Sequence, residues 1–249
     1  KIASGANKLV LDVTVGNGAF MKNIEHANEL SKTMIEIGKL AGIETVCVLT
    51  DMNEPLGYTI GNALEIKEAI QALKGDMPKD LEEVVLECGS YMIKLAGMGN
   101  NIEENKNKML ENIRNGKAYK KFLEMVQNQG GDISCIEDTD KLEKAKMILP
   151  VYANKDGIIE EINAEEIGKL ACKIGAGRVR KEDIIDKTVG IVLNKKIGDI
   201  VKKEDVLGYI HINKKELVEG AKQQLIDIIK ISEKTLPLDR KCNIIAIHY

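Results

Sequence analysis

Short apolar runs alternate with longer amphipathic stretches in the first half of the chain, whereas glycines separate short runs in the second half. The runs Leu9–Val13 and Thr45–Leu49 are too short for helices and predict buried strands. Between them, apolar residues recur every three to four positions over Asn23–Ala41, which predicts an amphipathic helix. A strand, a helix and a second strand in this order predict a parallel crossover, so we expect an α/β fold with a parallel sheet and flanking helices.

A change of pattern near Pro150 predicts a second domain. Beyond it, a helical stretch at Ala164–Ile174 is followed by Thr188–Ile212, where apolar residues alternate with turns as in a small antiparallel β-unit. We therefore predict an α/β domain at residues 1–145 and a smaller α+β C-terminal domain at residues 146–249. The other predicted helices cover Asn62–Lys74, Leu81–Leu95, Ile102–Asn115, Ala118–Gln127 and Lys214–Ile229, and a final strand covers Asn243–His248.

The turn Gly16-Asn17-Gly18 directly follows the first predicted strand. α/β sheets bind ligands at the carboxyl ends of their strands, and glycines let the backbone adopt positive φ or approach a ligand closely. The same glycines are common in ordinary turns between a strand and a helix, so that alternative stays open. Asp12 lies within the strand, where a buried carboxylate is costly unless hydrogen bonds hold it or it faces a site.

Composition excludes several classes of partner. The chain has 249 residues, a net charge of −3, 3% aromatic residues and no Trp, which provides neither the basic surface nor the aromatic platform of a nucleic-acid-binding protein. Its apolar runs are much shorter than a membrane-spanning helix, so we predict no membrane partner. Scattered cysteines without metal-binding spacing predict reduced, structural thiols and a cytoplasmic location: Cys47, Cys88, Cys135, Cys172 and Cys242.

Four sequence blocks together are more specific than any one of them. They are ASGANKLVLDVTVGNGAFMK at residues 3–22, TDMNEPLGYTIGNALEIKEAI at 50–70, QGGD at 129–132 and GAGRVRKEDIIDKTVGIVLNKKIGD at 175–199. On these blocks the chain resembles the C-terminal part of the pyrimidine-nucleoside phosphorylase and thymidine phosphorylase family. The resemblance implies a pentosyltransferase that moves a ribosyl or deoxyribosyl group from a pyrimidine nucleoside to phosphate. It also implies a cytoplasmic homodimer.

The resemblance assigns roles to a few residues. Phe20 aligns with the phenylalanine that lines the pyrimidine pocket in the family, whereas Thr14 stands where the family usually has a lysine. The backbone carbonyls of Leu56 and Thr59 and the carboxylate of Glu68 match three ligands of a monovalent cation, usually potassium, and such hard oxygen donors suit this ion. The remaining ligands of the family's cation lie before the position of Lys1. No organic cofactor is implied. Judged without the resemblance, Phe20 is a core residue and Glu68 a solvated helix carboxylate.

No catalytic residue is expected in this chain. The family's phosphate cradle, catalytic histidine and base-gripping residues lie before the position of Lys1, so we predict that the chain alone is inactive and that a missing N-terminal half is its partner. The three histidines, His26, His211 and His248, match no family site and are interpreted as surface or core residues.

Other functions stay open at this stage. Within the family, a thymidine-restricted phosphorylase and a nucleotide phosphorylase are alternatives, because the residues that set specificity lie mostly upstream. Outside it, the chain could be a stand-alone binding module. The segment around Lys195 and Lys196 also has glycines spaced as in a biotinyl or lipoyl carrier domain. It lacks the residues that usually flank the modified lysine in such domains.

Overall fold

The first sheet is built around a central strand that is buried over residues 45–50. In the computed structural model, which describes residues 1–233 and 243–249, β1 (Lys8–Val15) and β2 (Glu44–Asp51) are parallel and α1 (Ile24–Leu40) connects them. On the other side of β2, β10 (Ile244–His248) pairs in antiparallel register. This order, β1-β2-β10, makes β1 an edge strand among the described residues.

Helices cover both faces of this sheet. Because side chains alternate along a strand, Cys47 and Leu49 of β2 face α1, while Val46 and Val48 pack against Tyr91 of the third helix. The helices that follow β2 are α2 (Asn62–Leu73), α3 (Lys79–Leu95), α4 (Ile102–Arg114), α5 (Lys117–Asn128) and α6 (Ser134–Glu137), with a 3-10 turn at Thr139–Lys141.

Two antiparallel sheets form the second part of the molecule. One has the order β3-β6-β8-β4 and the other the order β7-β5-β9. Their strands are β3 (Thr59–Ile60), β4 (Met147–Tyr152), β5 (Gly157–Ile162), β6 (Gly190–Leu193), β7 (Ile200–Val201), β8 (Val206–Ile212) and β9 (Ile229–Ser232). With α7 (Ala164–Ile174), a 3-10 turn (Lys215–Leu217) and α8 (Val218–Ile228), they enclose a core that includes Ile159, Leu170, Ile191 and Leu225.

The mixed α/β architecture is confirmed, with differences in detail. Among the described residues, only β1 and β2 form a parallel strand pair in the first sheet. The predicted helix Lys214–Ile229 is shorter than expected, because Ile229 already begins β9. The interpretation of Asp12 as a carboxylate in a buried strand is wrong: β1 is at the sheet edge, Asp12 is exposed, and it accepts a hydrogen bond of 2.6 Å from the Thr50 hydroxyl.

Each predicted domain contributes one strand to a sheet of the other. The last strand, β10, pairs with β2 of the first part, and β3, which follows β2 in the chain, pairs with β6 of the second part. The boundary between residues 1–145 and 146–249 stays a prediction. In the part of the chain covered by the structure, no helix is long and apolar enough to cross a bilayer.

Candidate functional site

The turn after β1 holds three segments together through Asn17. The Asn17 side chain donates to the Asn53 carbonyl at 2.8 Å and accepts from the Ala164 N–H, also at 2.8 Å. Ala164 begins α7, so this amide adds to the capping of that helix by Asn163. The carboxyl ends of β1 and β2 are thereby fixed against the second part of the molecule, a contact that the sequence analysis missed.

The two glycines of this turn are required by packing against protein. Gly16 has φ +137°, and a Cβ there would lie 2.8 Å from both the Asn53 side-chain oxygen and the Met52 carbonyl carbon. A Cβ on Gly18 would lie 2.7 Å from the Ala164 Cβ, closer than real Cβ contacts allow. The close approach of the 52–53 segment and of α7 therefore explains both glycines.

Phe20 points away from the protein at the end of this turn. Its residue surface is 98% exposed, so the alternative that it is a core residue is wrong. The Gly16 N–H donates to the Met21 carbonyl at 3.0 Å, which closes the loop from which the Phe20 ring projects. The Phe20 ring therefore exposes a flat apolar face on which another ring can stack.

An open cavity of about 950 Å³ lies next to this turn, between Gly18, Met52 and α7. On its rim, Lys22 donates to the Glu165 carboxylate at 2.9 Å and to the Asn17 carbonyl at 2.7 Å. The hydrogen bond from Lys22 and a second from Lys169 hold the pKa of Glu165 at about 2. Phe20 is not among the residues that line this cavity.

The three predicted cation ligands lie together. Leu56, Thr59 and Glu68 all line one cavity of about 410 Å³ between the 52–60 segment, α2 and α7. One Glu68 oxygen accepts the Tyr58 N–H at 2.8 Å, and the other accepts the Thr59 hydroxyl at 3.1 Å. Glu68 is half-buried, and these two hydrogen bonds hold it against the loop that carries Leu56 and Thr59.

The backbone around these residues suits a bound cation. Gly57 has φ +68°, and a Cβ there would collide with the Glu68 carboxylate, so this carboxylate packs directly against the loop. The Tyr58 carbonyl accepts the Leu193 N–H at 2.7 Å; because antiparallel pairs alternate, the next carbonyl, that of Thr59, points away from β6. Within residues 1–233 and 243–249, no cluster of three or more His, Cys, Asp or Glu could hold a metal, and the carboxylates that line the cavity with Leu56 and Thr59 are Glu65 and Glu68.

A buried lysine from the second part of the molecule contacts the same loop. Lys196 is only 1% exposed and lies in the turn between β6 and β7. Its ammonium group donates to the Pro55 carbonyl and lies 2.8 Å from an Asp80 carboxylate oxygen and 3.9 Å from one of Glu54. A carrier lysine must be exposed for modification, so the carrier hypothesis is wrong for Lys196.

Asp80 connects this lysine to the loop. The carboxylate oxygen of Asp80 that contacts Lys196 also accepts the Gly57 N–H at 3.0 Å. Burial opposes ionisation of this carboxyl, but the hydrogen bond and charge of Lys196, with the N–H groups of Gly57 and Leu81, hold its pKa below the ordinary value of 3.8. This pair could not be predicted from the sequence, because a lysine in a turn and an aspartate in the first turn of a helix are usually solvated.

Among the described histidines and cysteines, Cys172 lines the cavity next to Gly18 and Met52, and the others line none of these cavities. His26 lies beside Asn23 at the start of α1, His248 contacts the Asn28 side chain at 2.7 Å, and burial lowers the pKa of His211 on β8. The described cysteines are free thiols: Cys47, Cys88, Cys135 and Cys172. Burial raises the pKa of Cys47, and raises that of Cys88 to about 11, so both are protonated at neutral pH. Cys242 lies outside the described residues.

Two families match successive parts of the chain. The family described as "Glycosyl transferase family, a/b domain" matches residues 1–119, and "Pyrimidine nucleoside phosphorylase C-terminal domain" matches residues 158–232. The pyrimidine-nucleoside phosphorylase of Bacillus subtilis (strain 168) is 47% identical over 232 residues, which is 93% of this chain and 53% of the relative. The enzyme of the same name from Geobacillus stearothermophilus is 45% identical over 232 residues, with the same coverage of both chains.

A third relative gives the same result. The pyrimidine-nucleoside phosphorylase of Staphylococcus epidermidis (strain ATCC 12228 / FDA PCI 1200) is 48% identical over 217 residues, or 87% of this chain and 50% of the relative. The chain thus spans about half the length of the curated relatives it matches. Two family matches and 45–48% identity over most of this chain confirm its resemblance to the pyrimidine-nucleoside phosphorylases.

Proposed function

We propose that this chain forms one part of a pyrimidine-nucleoside phosphorylase, which transfers a ribosyl or deoxyribosyl group from a pyrimidine nucleoside to phosphate. The observation that carries the proposal is the exposed Phe20 ring, held by a rigid turn at the carboxyl end of β1. α/β sheets bind ligands at the carboxyl ends of their strands. At the same end of the sheet, the adjacent strand β2 leads into the loop with Leu56 and Thr59.

The reaction breaks the bond between the sugar and the base while positive charge develops on the sugar. Such a transition state needs a base held in a fixed orientation, a placed phosphate and a site without water. Phe20 supplies a flat apolar surface on which a pyrimidine ring stacks. The relatives are about twice as long as this chain, and we assign phosphate binding and proton transfer to the part they have in addition.

The loop after β2 would hold potassium through the Leu56 and Thr59 carbonyls and the Glu68 carboxylate. A bound potassium ion supplies positive charge that fixes the loop. The Tyr58 N–H and the Thr59 hydroxyl already orient Glu68, so this carboxylate is in place before an ion arrives. The family resemblance also leads us to propose a cytoplasmic homodimer that binds neither nucleic acid nor membrane.

The proposed function is tested with a chimera in which residues 1–249 replace the matching part of the Bacillus subtilis relative. We expect the chimera to convert uridine and phosphate to ribose 1-phosphate and uracil. We expect residues 1–249 alone to give no turnover, because we assign phosphate binding to the part of the relatives outside the matched region. Product formation is measured by chromatography. A folded chimera without phosphorolytic activity, or turnover by the isolated chain at the rate of the intact relative, would contradict the proposal.

Glu68→Gln tests the cation site in the same chimera. The amide keeps the shape of the side chain but removes the charge, so we expect the potassium concentration for half-maximal activity to rise by about tenfold or more. Glu36→Gln is the control, because Glu36 is exposed on α1 and does not line the cavity of Leu56, Thr59 and Glu68. An unchanged potassium dependence would show that Glu68 has only a structural role.

A further inference from the structure

Four backbone groups of the loop around Leu56 are held by side chains or strands. The Pro55 carbonyl accepts from Lys196, the Gly57 N–H donates to Asp80, the Tyr58 N–H donates to Glu68 and the Tyr58 carbonyl accepts from β6. Two carboxylates thus approach the loop on either side of Gly57. They differ in one respect: Asp80 contacts the ammonium group of Lys196, and Glu68 is held only by N–H and O–H donors of the loop.

Stability alone does not explain a lysine in this place. Removing an ammonium group from water is costly, and apolar residues of similar volume often replace a buried ion pair without loss of stability. Lys196 nevertheless lies with its charge next to Asp80, near Glu54 and 5.5 Å from the centre of the Tyr58 ring. Asp80 and Glu68 also line a common cavity of about 480 Å³, so Asp80 would be available to a cation there if Lys196 were absent.

We propose that Lys196 is a positioning and specificity residue of the cation loop. Its ammonium group acts as a tethered cation that engages Asp80 and the Pro55 carbonyl, so that the loop offers Leu56, Thr59 and Glu68, but not Asp80, to one monovalent ion. Divalent cations such as calcium prefer several carboxylates, and the engagement of Asp80 therefore disfavours them. This inference rests on the cation site of the proposed function.

The test is the thermal unfolding of the chimera, without further substitutions (wild type) or with them, at constant ionic strength with KCl or CaCl2 replacing tetramethylammonium chloride. The wild type should gain stability with potassium in a saturable way and respond little to calcium. Lys196→Met should raise the half-saturating potassium concentration about tenfold and create a response to calcium, because Asp80 becomes available. Lys195→Met, a change of the neighbouring lysine in the same turn, should match the wild type.

A double variant separates the charge effect from a loss of folding. Lys196→Met with Asp80→Asn removes both charges, so it should fold, retain the weakened potassium response and lack the calcium response. Wild-type potassium half-saturation in both Lys196 variants, or no calcium response in a folded single variant, would overturn the proposal. A wild type that does not respond to potassium would also overturn it, whereas phosphorolysis by the chimera would still support the reaction.

Discussion

Asp80→Ala is expected to lower the free energy of unfolding of this chain by about 3–5 kcal/mol, the usual cost of removing one partner from a buried ion pair. The substitution leaves the Lys196 ammonium group, which is 1% exposed, with Glu54 at 3.9 Å as its nearest remaining carboxylate. It also removes the acceptor of the Gly57 N–H. Urea denaturation followed by circular dichroism measures the change.

Asp76→Ala is the matched control, because Asp76 is exposed and lies four positions before Asp80. Its substitution should change the free energy of unfolding by less than about 0.5 kcal/mol. An Asp80→Ala variant as stable as this control would show that the buried pair contributes nothing to stability.

The pH dependence of this effect has a defined sign. The folded state holds the pKa of Asp80 below 3.8, so ionised Asp80 favours folding. That contribution is present above the unfolded-state pKa and is lost as the pH falls through the lower folded-state pKa. The stability difference between wild type and Asp80→Asn should therefore narrow in acid, and a difference that grows in acid would contradict the assigned pairing.

Gly18→Val is expected to destabilise the contact between the turn after β1 and α7. Even the first carbon of the new side chain would lie 2.7 Å from the Ala164 Cβ and 3.1 Å from the Met52 carbonyl oxygen. Because both neighbours belong to packed segments, relief requires a backbone shift, and we expect a loss of about 1–3 kcal/mol in the free energy of unfolding.

The control for Gly18 is Gly168→Ala on the same helix α7, where an added Cβ meets no atom within 4 Å. That change should raise stability by roughly 0.5–1 kcal/mol, since alanine favours helix more than glycine. Equal stability changes in the two variants, measured by urea denaturation, would refute the packing explanation of Gly18.

The sequence predicted the elements whose pattern is local. The short apolar runs of β1 and β2 and the helical spacing of α1 depend only on neighbouring residues. The strand β9 was missed because it continues directly from α8 without a turn signal. The exposure of Asp12 could not be predicted either, because it depends on which strand lies at the sheet edge.

For the candidate site too, only part could be predicted from the sequence. The family resemblance located Phe20, Leu56, Thr59 and Glu68, but not the contacts that hold them. Lys196 and Asp80 are far apart in the sequence and lie in segments where charged residues are usually solvated, so only the folded arrangement reveals their pairing. Asn17 was identified as part of a turn, whereas its contact with α7 depends on how the two parts of the molecule pack.

The central claim is that this chain contributes the surface that contacts the pyrimidine base, and Phe20→Ala in the chimera tests it most directly. Since the ring is 98% exposed, its removal should leave the melting temperature nearly unchanged. Loss of base stacking, roughly 1–3 kcal/mol, should raise KM for uridine about tenfold, with kcat reduced only slightly. A melting temperature lowered by many degrees together with an unchanged KM would contradict the claim and remove the base contact from this chain.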